Sequence, residues 1–297
     1  MIEVCGVCKR IEDSGILNGI SFHVQKGSIF GLIGPNGAGK TSLIKTITGV
    51  WRPDKGSISI NGCDILKSPA VKETLGYVPE QSHYYDSFRV REMTVFYKLA
   101  YKNFSDKRFE EVNRILGIPL SKRVRELSKG TKAKLSLLLN LSILPEVLIL
   151  DEPTSGLDPI AKRRFMEIIL DDVAERKTTL LISTHNLGDV EKVCDNIAVI
   201  DKGEIRFSGT VDDMKHKVRK LQVVFSGGMP EDILKRKDIL HISSMGSVYH
   251  IVTEKYSEEL EKYIRKSGAT LVEEMSLSLE EIFIYSLGGG DINEITG

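Results

Sequence analysis

The chain has 297 residues, 41% of them hydrophobic and 28% charged, with 41 Lys+Arg balanced by 41 Asp+Glu. That length suits one large domain, or one with a smaller appendage, and the apolar share is enough for a real core. The neutral balance gives no electrostatic reason to expect nucleic acid as the main partner, and no apolar run reaches the length of a membrane span.

Met1-Ile2-Glu3-Val4 leads straight into an expected strand, so no leader is expected. Residues 1–30 alternate apolar and polar around Gly15, Asn18-Gly19 and Gly27, which predicts antiparallel strands. Of the four cysteines, Cys5, Cys8, Cys63 and Cys194, the first two form a CxxC. On a strand, residues three apart point to opposite faces, so the two share no ion, and no second CxxC completes a zinc set. The thiols are expected to be reduced and the compartment cytosolic.

Ser28 to Ile33 is an apolar run before a Gly-rich turn and predicts a buried strand. Lys40 to Thr48 carries Leu43, Ile44 and Ile47 at helical spacing and stops at Gly49. Asp54-Lys55-Gly56 and Asn61-Gly62 punctuate short strands. From about 82 to 144 the pattern turns helical, an inserted subdomain. Leu135 to Leu150 is interrupted by Asn140, Pro145 and Glu146, and reads as a buried helix, a break and a short buried strand. Strands follow at Val147–Leu150, Thr179–Ser183 and Ile197–Ile200, separated by helices, which implies a parallel sheet covered on both faces.

From Val211 the rhythm changes. Strands at 221–225, 240–243, 248–252 and 269–273, with helices at 231–236 and 257–265, give the order βαββαβ, a split ferredoxin-like arrangement. A last helix at 279–287 precedes a Gly288-Gly289-Gly290 tail expected to be disordered. The expected organisation is one domain over 1–210, with the helical subdomain inserted, and an accessory α+β domain over 211–297. This second part carries no chemical motif; it reads as a stabilising or dimer-contacting appendage, with a regulatory or partner-binding role as the alternative.

The strongest chemical signal is Gly34-Pro35-Asn36-Gly37-Ala38-Gly39-Lys40-Thr41, followed by Ser42. It fits G-x-x-x-x-G-K-[ST] between a buried strand and a helix. The glycines let backbone N–H groups close around phosphates, and the helix N-terminus adds partial positive charge. Lys40 can reach the β- and γ-phosphates of a nucleotide, and Thr41 can ligate Mg²⁺. The second signal is Val147-Leu148-Ile149-Leu150-Asp151-Glu152, a buried strand ending in two carboxylates at the edge of a parallel sheet where ligands bind. Asp151 would hold Mg²⁺ through water, and Glu152 would orient or deprotonate an attacking water. Leu127-Ser128-Lys129-Gly130-Thr131 would alone be a capped helix start, and Ser155-Gly156-Leu157-Asp158 and His185 complete the order.

Over residues 1 to about 210 the chain resembles the ATP-binding cassette (ABC) ATPases. The phosphate loop matches that family's form, Leu127–Thr131 sits where its LSGGQ signature sits, Ser155–Asp158 matches its D-loop and His185 its switch histidine. The resemblance implies a P-loop NTPase fold of ABC type, with a mixed sheet, an antiparallel β subdomain and a helical subdomain. It implies ATP and Mg²⁺ as ligands, with Lys40, Glu152 and His185 catalytic. It also implies that Ser128 and Gly130 reach across a dimer interface to the γ-phosphate held by a second protomer, and that Lys129 and Asp158 are nucleotide-binding. The partners implied are membrane-spanning transporter subunits and a second copy, or a closely related ATPase subunit, at the cytoplasmic face of the membrane.

There are departures. The Gln-loop reads Gly76-Tyr77-Val78-Pro79-Glu80 with Gln81 next, so either Glu80 or Gln81 fills the role, and Glu80 could bind Mg²⁺. Lys129 and Thr131 replace Gly and Gln of the signature. Ile11 stands where an adenine-stacking aromatic is usual. Single-cassette exporters of drugs, lantibiotics and amphipathic peptides, including the phenol-soluble-modulin type, are similar in these respects. Membrane subunits are expected to dock near Glu80 to Phe88, where Tyr84, Tyr85 and Phe88 offer aromatic contacts. A ribosome- or DNA-acting ABC ATPase is the alternative. Such proteins carry two cassettes or a long inserted coiled coil, and this chain shows one cassette and no sustained heptads. A non-catalytic binding module is argued against by the intact Lys40, Asp151, Glu152 and His185.

Overall fold

The computed structural model describes residues 1–12, 14–234, 236, 238–254 and 256–287. The chain divides into two compact units, residues 1–186 with 193–208, and residues 187–192 with 209–297.

In the first unit, β1 (Ile2–Ile11) and β2 (Ser14–Val24) pair antiparallel. Then come β3 (Ile29–Ile33), α1 (Lys40–Ile47), β4 (Lys55–Ile60), β5 (Cys63–Asp64), α2 (Pro69–Glu73) and β6 (Leu75–Val78). The regular elements of the inserted segment are helical, α3 (Val90–Ala100), α4 (Asp106–Leu116), a short 3₁₀ turn and α5 (Lys129–Ser142), joined by loops. The chain returns through β7 (Val147–Asp151), α6 (Pro159–Arg176), β8 (Thr179–Thr184), β9 (Asn196–Asp201) and β10 (Glu204–Thr210), whereas α7 (Leu187–Val193), which follows β8 in the chain, falls up to Lys192 in the second unit. Two sheets result, one in the order β2-β1-β4-β5 and a six-stranded one in the order β10-β9-β3-β8-β7-β6. Strands β9, β3, β8, β7 and β6 run parallel.

The sheet's strands read as unbroken apolar runs because both faces are buried. Val147 and Ile149 point into a core shared with α1 and the antiparallel sheet, while Leu148 and Leu150 point into a second core built with α3 to α6. This sandwich fixes the carboxyl ends of β3 and β7, where the phosphate loop and Asp151-Glu152 begin.

Two strands escape the sequence patterning, β6 and β10. Strand β6 is only four residues long and reads as loop beside Pro79. It is held by Asn140, which looked like a break in an apolar helix. The Asn140 side chain is buried, and its Oδ1 accepts from the Tyr77 N–H at 2.9 Å while its Nδ2 donates to Ser136 O at 2.8 Å. The edge strand that carries Glu80 thus gains a partner from α5.

One expectation is overturned. Strand β1 is bulged, with register shifts on either side of Val7 and a left-handed Gly6 (φ 57°). The bulge breaks the two-residue alternation. Ile2, Val4 and Val7 are all buried, so Cys5 and Cys8 both fall on the side away from the core rather than on opposite faces. Both thiols are free, and Cys8 Sγ accepts from the Gly19 N–H at 3.2 Å.

In the second unit, α8 (Val211–Lys217) leads to β11 (Arg219–Phe225), α9 (Glu231–Leu234), β12 (Ile239–Met245), β13 (Val248–Thr253), α10 (Glu258–Lys266), β14 (Ala269–Met275) and α11 (Leu279–Leu287). The sheet order β12-β13-β11-β14 is that of a split ferredoxin-like βαββαβ unit. Leu221, Val223, Phe225, Ile251, Leu260, Ile264 and Val272 form its core. The opposite sheet face meets α11, where Tyr285 stacks on His241 at 5.2 Å and Lys220 pairs with Glu281 at 2.9 Å. The tail from Gly288 lies outside the described residues.

Candidate functional site

The phosphate loop turns out of β3 into α1. Gly37 and Gly39 take left-handed φ values of 79° and 108°, a region open to glycine, and the Ala38 N–H between them donates to Pro35 O at 3.2 Å. Gly34 is required for a different reason: a methyl there would overlap the carbonyl oxygen of Ile200 on β9. The N-cap of α1 is Gly39, and the first turn of that helix holds no acidic side chain, so its positive end is unanswered within the helix.

A cavity of about 680 Å³ opens over this loop. It is lined by Pro35, Asn36, Gly37, Gly39, Lys40, Thr41 and Ser42, by Glu80 and Glu152 at one end, and by Gly15, Ile16, Lys202 and Gly203 at the other. Lys40 is nearly buried. Its ammonium donates to Gly34 O at 2.6 Å and Pro35 O at 3.2 Å, and lies 3.3 Å from Glu152 Oε1. Glu152 Oε2 lies 2.9 Å from His185 Nδ1, whose side chain is 57% exposed. Lys40, Glu152 and His185 are therefore brought together as a chain of charged and polar groups, of which Lys40 and Glu152 line the cavity and His185 does not.

Glu152 adopts a left-handed φ of 46°, a costly conformation for a non-glycine residue. It is held there because its N–H donates to Ser183 at the end of β8, to O and Oγ at 3.1 Å each. The result is a carboxylate swung off the strand end to line the cavity.

Asp151 has no exposed surface. Burial pushes its carboxyl above the usual carboxylate range. The hydroxyls of Ser183, at 2.6 Å from Oδ1, and of Thr41 pull it down, and the nearby Glu152 and Glu80 carboxylates push it further up. Its Oδ2 is buried without a hydrogen-bond partner. Thr41, Glu80, Gln81 and Asp151 line a second, adjoining cavity of about 380 Å³. An orphaned carboxylate oxygen beside a hydroxyl and further carboxylates is an all-oxygen donor set that fits Mg²⁺, which takes one or two protein ligands and completes its shell with water and phosphate. Among the described residues no cluster of His, Cys, Asp and Glu would cage a metal unaided.

Glu80 lines the phosphate cavity, whereas Gln81 lines only the flanking ones. Ile11 lies at the end of β1, 38% exposed, and is not among the cavity's lining residues; Ile16 on β2 is the aliphatic side chain there. Ser128, Lys129, Gly130 and Asp158 likewise do not line it. Ser128 caps α5, its Oγ accepting from the Thr131 N–H at 3.2 Å, and Asp158 caps α6 by accepting from Ile160 and Ala161 N–H at 3.1 and 2.9 Å. The Lys129 stem packs over Gly156, and a methyl on Gly130 would press on Leu157, so signature and D-loop touch within one chain. Tyr84 and Phe88 turn inward onto the helical core, while Tyr85 stays outside against Phe96 at 6.0 Å.

The residues missed by sequence reading are Gly15, Ile16, Lys202 and Gly203. Lys202-Gly203 joins β9 to β10 with positive φ at both positions (48° and 76°), a type I′ turn. Its signal was the Asp201-Lys202-Gly203 turn, but nothing in the sequence says that a turn more than 160 residues along meets the phosphate loop.

Residues 17–155 match the family model described as ABC transporter, and residues 123–188 a model described as AAA domain, putative AbiEii toxin, Type IV TA system. The ABC transporter ATP-binding protein YtrB of Bacillus subtilis (strain 168) is 32% identical over 289 residues, covering 97% of this chain and 99% of that protein. The Nod factor export ATP-binding protein I of Rhizobium sp. (strain N33) is 30% identical over 297 residues, covering 97% of each. A solved ATP binding subunit of an ABC transporter superposes with a TM-score of 0.67 at 31% identity, over 72% of this chain and 92% of that one. The chain belongs to the family of ABC transporter ATP-binding subunits, whose cassette binds and hydrolyses ATP. These relatives are transporter subunits, which leaves the ribosome- or DNA-acting alternative without support.

Proposed function

We propose that the chain hydrolyses MgATP as one half of a homodimer, or of a pair with a closely related subunit, and drives export through separate membrane subunits from the cytoplasmic face. The observation that carries the chemistry is Glu152 at the end of β7, poised 3.3 Å from Lys40 and 2.9 Å from His185 at the lip of the phosphate cavity.

The backbone N–H groups of residues 36, 37 and 39–42 and the α1 N-terminus receive the phosphates. The γ-phosphate takes over Lys40 from Glu152, which frees the carboxylate to accept a proton from water, with His185 holding its other oxygen. Asp151, Thr41 and Glu80 would hold Mg²⁺, which would supply neutralisation of the phosphate charge when bound. Ser128, Lys129, Gly130 and Asp158 lie off their own chain's cavity, which supports their serving the nucleotide of a second copy, with the α5 amides directed at its γ-phosphate. In this reading the cassette spans 1–210 and an accessory unit 211–297.

Among the described residues no helix is long and apolar enough to cross a membrane, so a transport role needs partner subunits. Tyr85, Val95, Phe96 and Leu99 form an exposed apolar patch on the helical layer, Leu99 being 84% exposed, and offer such a partner a docking face. The export direction, with peptides, drugs or antimicrobials as cargo, rests on likeness to relatives such as the Nod factor exporter.

If catalysis needs two copies, ATPase activity per mole of chain rises with protein concentration and then levels off. Specific activity that stays constant down to high dilution would contradict the dimer.

A further inference from the structure

We infer that Ile16 and Lys202 form the nucleoside end of the ATP site, Ile16 as an aliphatic floor beneath the base and the Lys202 ammonium as a cation against the π face of the purine. This rests on reading the cavity over the phosphate loop as the ATP site.

In the six-stranded sheet the β9–β10 turn lies on one side of β3, which feeds the phosphate loop, and β7 and β6 lie on the other, so the residues that line the cavity come from two sides of the loop. Glu80 and Glu152 mark one of them, and Lys40, beside Glu152, fixes the terminal phosphate there. The nucleoside is left the other end, where Gly15, Ile16, Lys202 and Gly203 lie. None of the lining residues is aromatic, and Ile11 is not among them, so the base finds no ring to stack on. Lys202 is the one cationic lining residue besides Lys40.

The turn that carries Lys202 is mounted on the loop itself. The Gly203 N–H donates to Ala38 O at 3.0 Å, and the Asn18 N–H donates to Gly203 O at 2.8 Å. A methyl on Gly203 would overlap Ile16 O, so only glycine lets the turn sit this close to β2. The neighbouring charges are already answered: Arg206 lies 3.9 Å from Asp201 and 2.9 Å from Glu204. Lys202 has no hydrogen-bond or ion-pair partner among the described residues, and its ammonium is free for a ligand. A cation over an aromatic face holds any purine without reading its edge. The geometry therefore replaces a stacking ring by a cation and predicts weak discrimination between ATP and GTP.

The test is titration calorimetry of MgATP, MgGTP and magnesium tripolyphosphate with wild type, Lys202→Met, Lys202→Arg and Lys40→Ala. Lys202→Met keeps the apolar stem and removes the charge. It is expected to weaken ATP and GTP binding about 3- to 30-fold, the range of a cation–π contact, and to leave tripolyphosphate binding unchanged. Lys202→Arg is expected to retain the affinity of wild type. Wild-type affinity for MgATP in Lys202→Met overturns the inference, as does an equal loss for tripolyphosphate, which would make Lys202 a phosphate contact. Lys40→Ala separates the underlying reading: it should weaken all three ligands, and if it weakens none, the cavity is not the ATP site at all.

Discussion

Glu152→Gln is expected to bind MgATP and to hydrolyse it about 10²–10⁴-fold more slowly, the usual worth of a general base. The amide keeps the size of the carboxylate and can still meet His185, so packing at the end of β7 survives. It cannot accept a proton from water, and it no longer answers the charge of Lys40, which sits 3.3 Å from the wild-type carboxylate. Asp151 and Thr41 remain in place beside it. With ATP bound and no hydrolytic exit, the variant should accumulate as an ATP-dependent dimer on size exclusion, a species short-lived in wild type. A variant that stays monomeric with ATP, or turns over at the wild-type rate, would remove Glu152 from the role of base.

Lys40→Ala is expected to abolish measurable turnover. The side chain is nearly buried and supplies the one cation of the phosphate loop, positioned by two carbonyls of that loop at 2.6 and 3.2 Å. Charge-assisted contacts to the β- and γ-phosphates are worth about 1.5–3 kcal/mol each. Losing both costs roughly 10²–10⁴-fold, and the variant also leaves Glu152 in a nearly enclosed setting without its counter-charge. Near wild-type turnover would contradict the placement of ATP over the loop.

Much of this was readable before any coordinates. The phosphate loop, the strand ending in Asp151-Glu152 and the βαββαβ order after Val211 all rest on local patterns, a glycine spacing or a change of hydrophobic period, which the sequence carries in full. What could not be read depends on distant segments meeting. Strand β6 pairs with β7 and gains a further bond from Tyr77 to Asn140 of α5, and Lys202-Gly203 is tied to the phosphate loop by its bond to Ala38. The cysteine argument failed for a local reason: the Gly6 bulge shifted the parity on which it depended. Ile11 was aligned by its place on β1, but it is Ile16, near the start of β2, that lines the cavity.

The central claim is that one chain's phosphate loop and another's signature make one working site. It is tested most directly by mixing two inactive variants, Ser128→Arg and Lys40→Ala, and measuring ATP hydrolysis. Each mixed dimer would join the unaltered loop of the first to the unaltered signature of the second, while its other site carries both lesions. The account predicts that the mixture regains activity that neither variant shows alone, and that the gain grows with total protein concentration. A mixture as inactive as its parts, at concentrations where the chains are shown to associate, would contradict it.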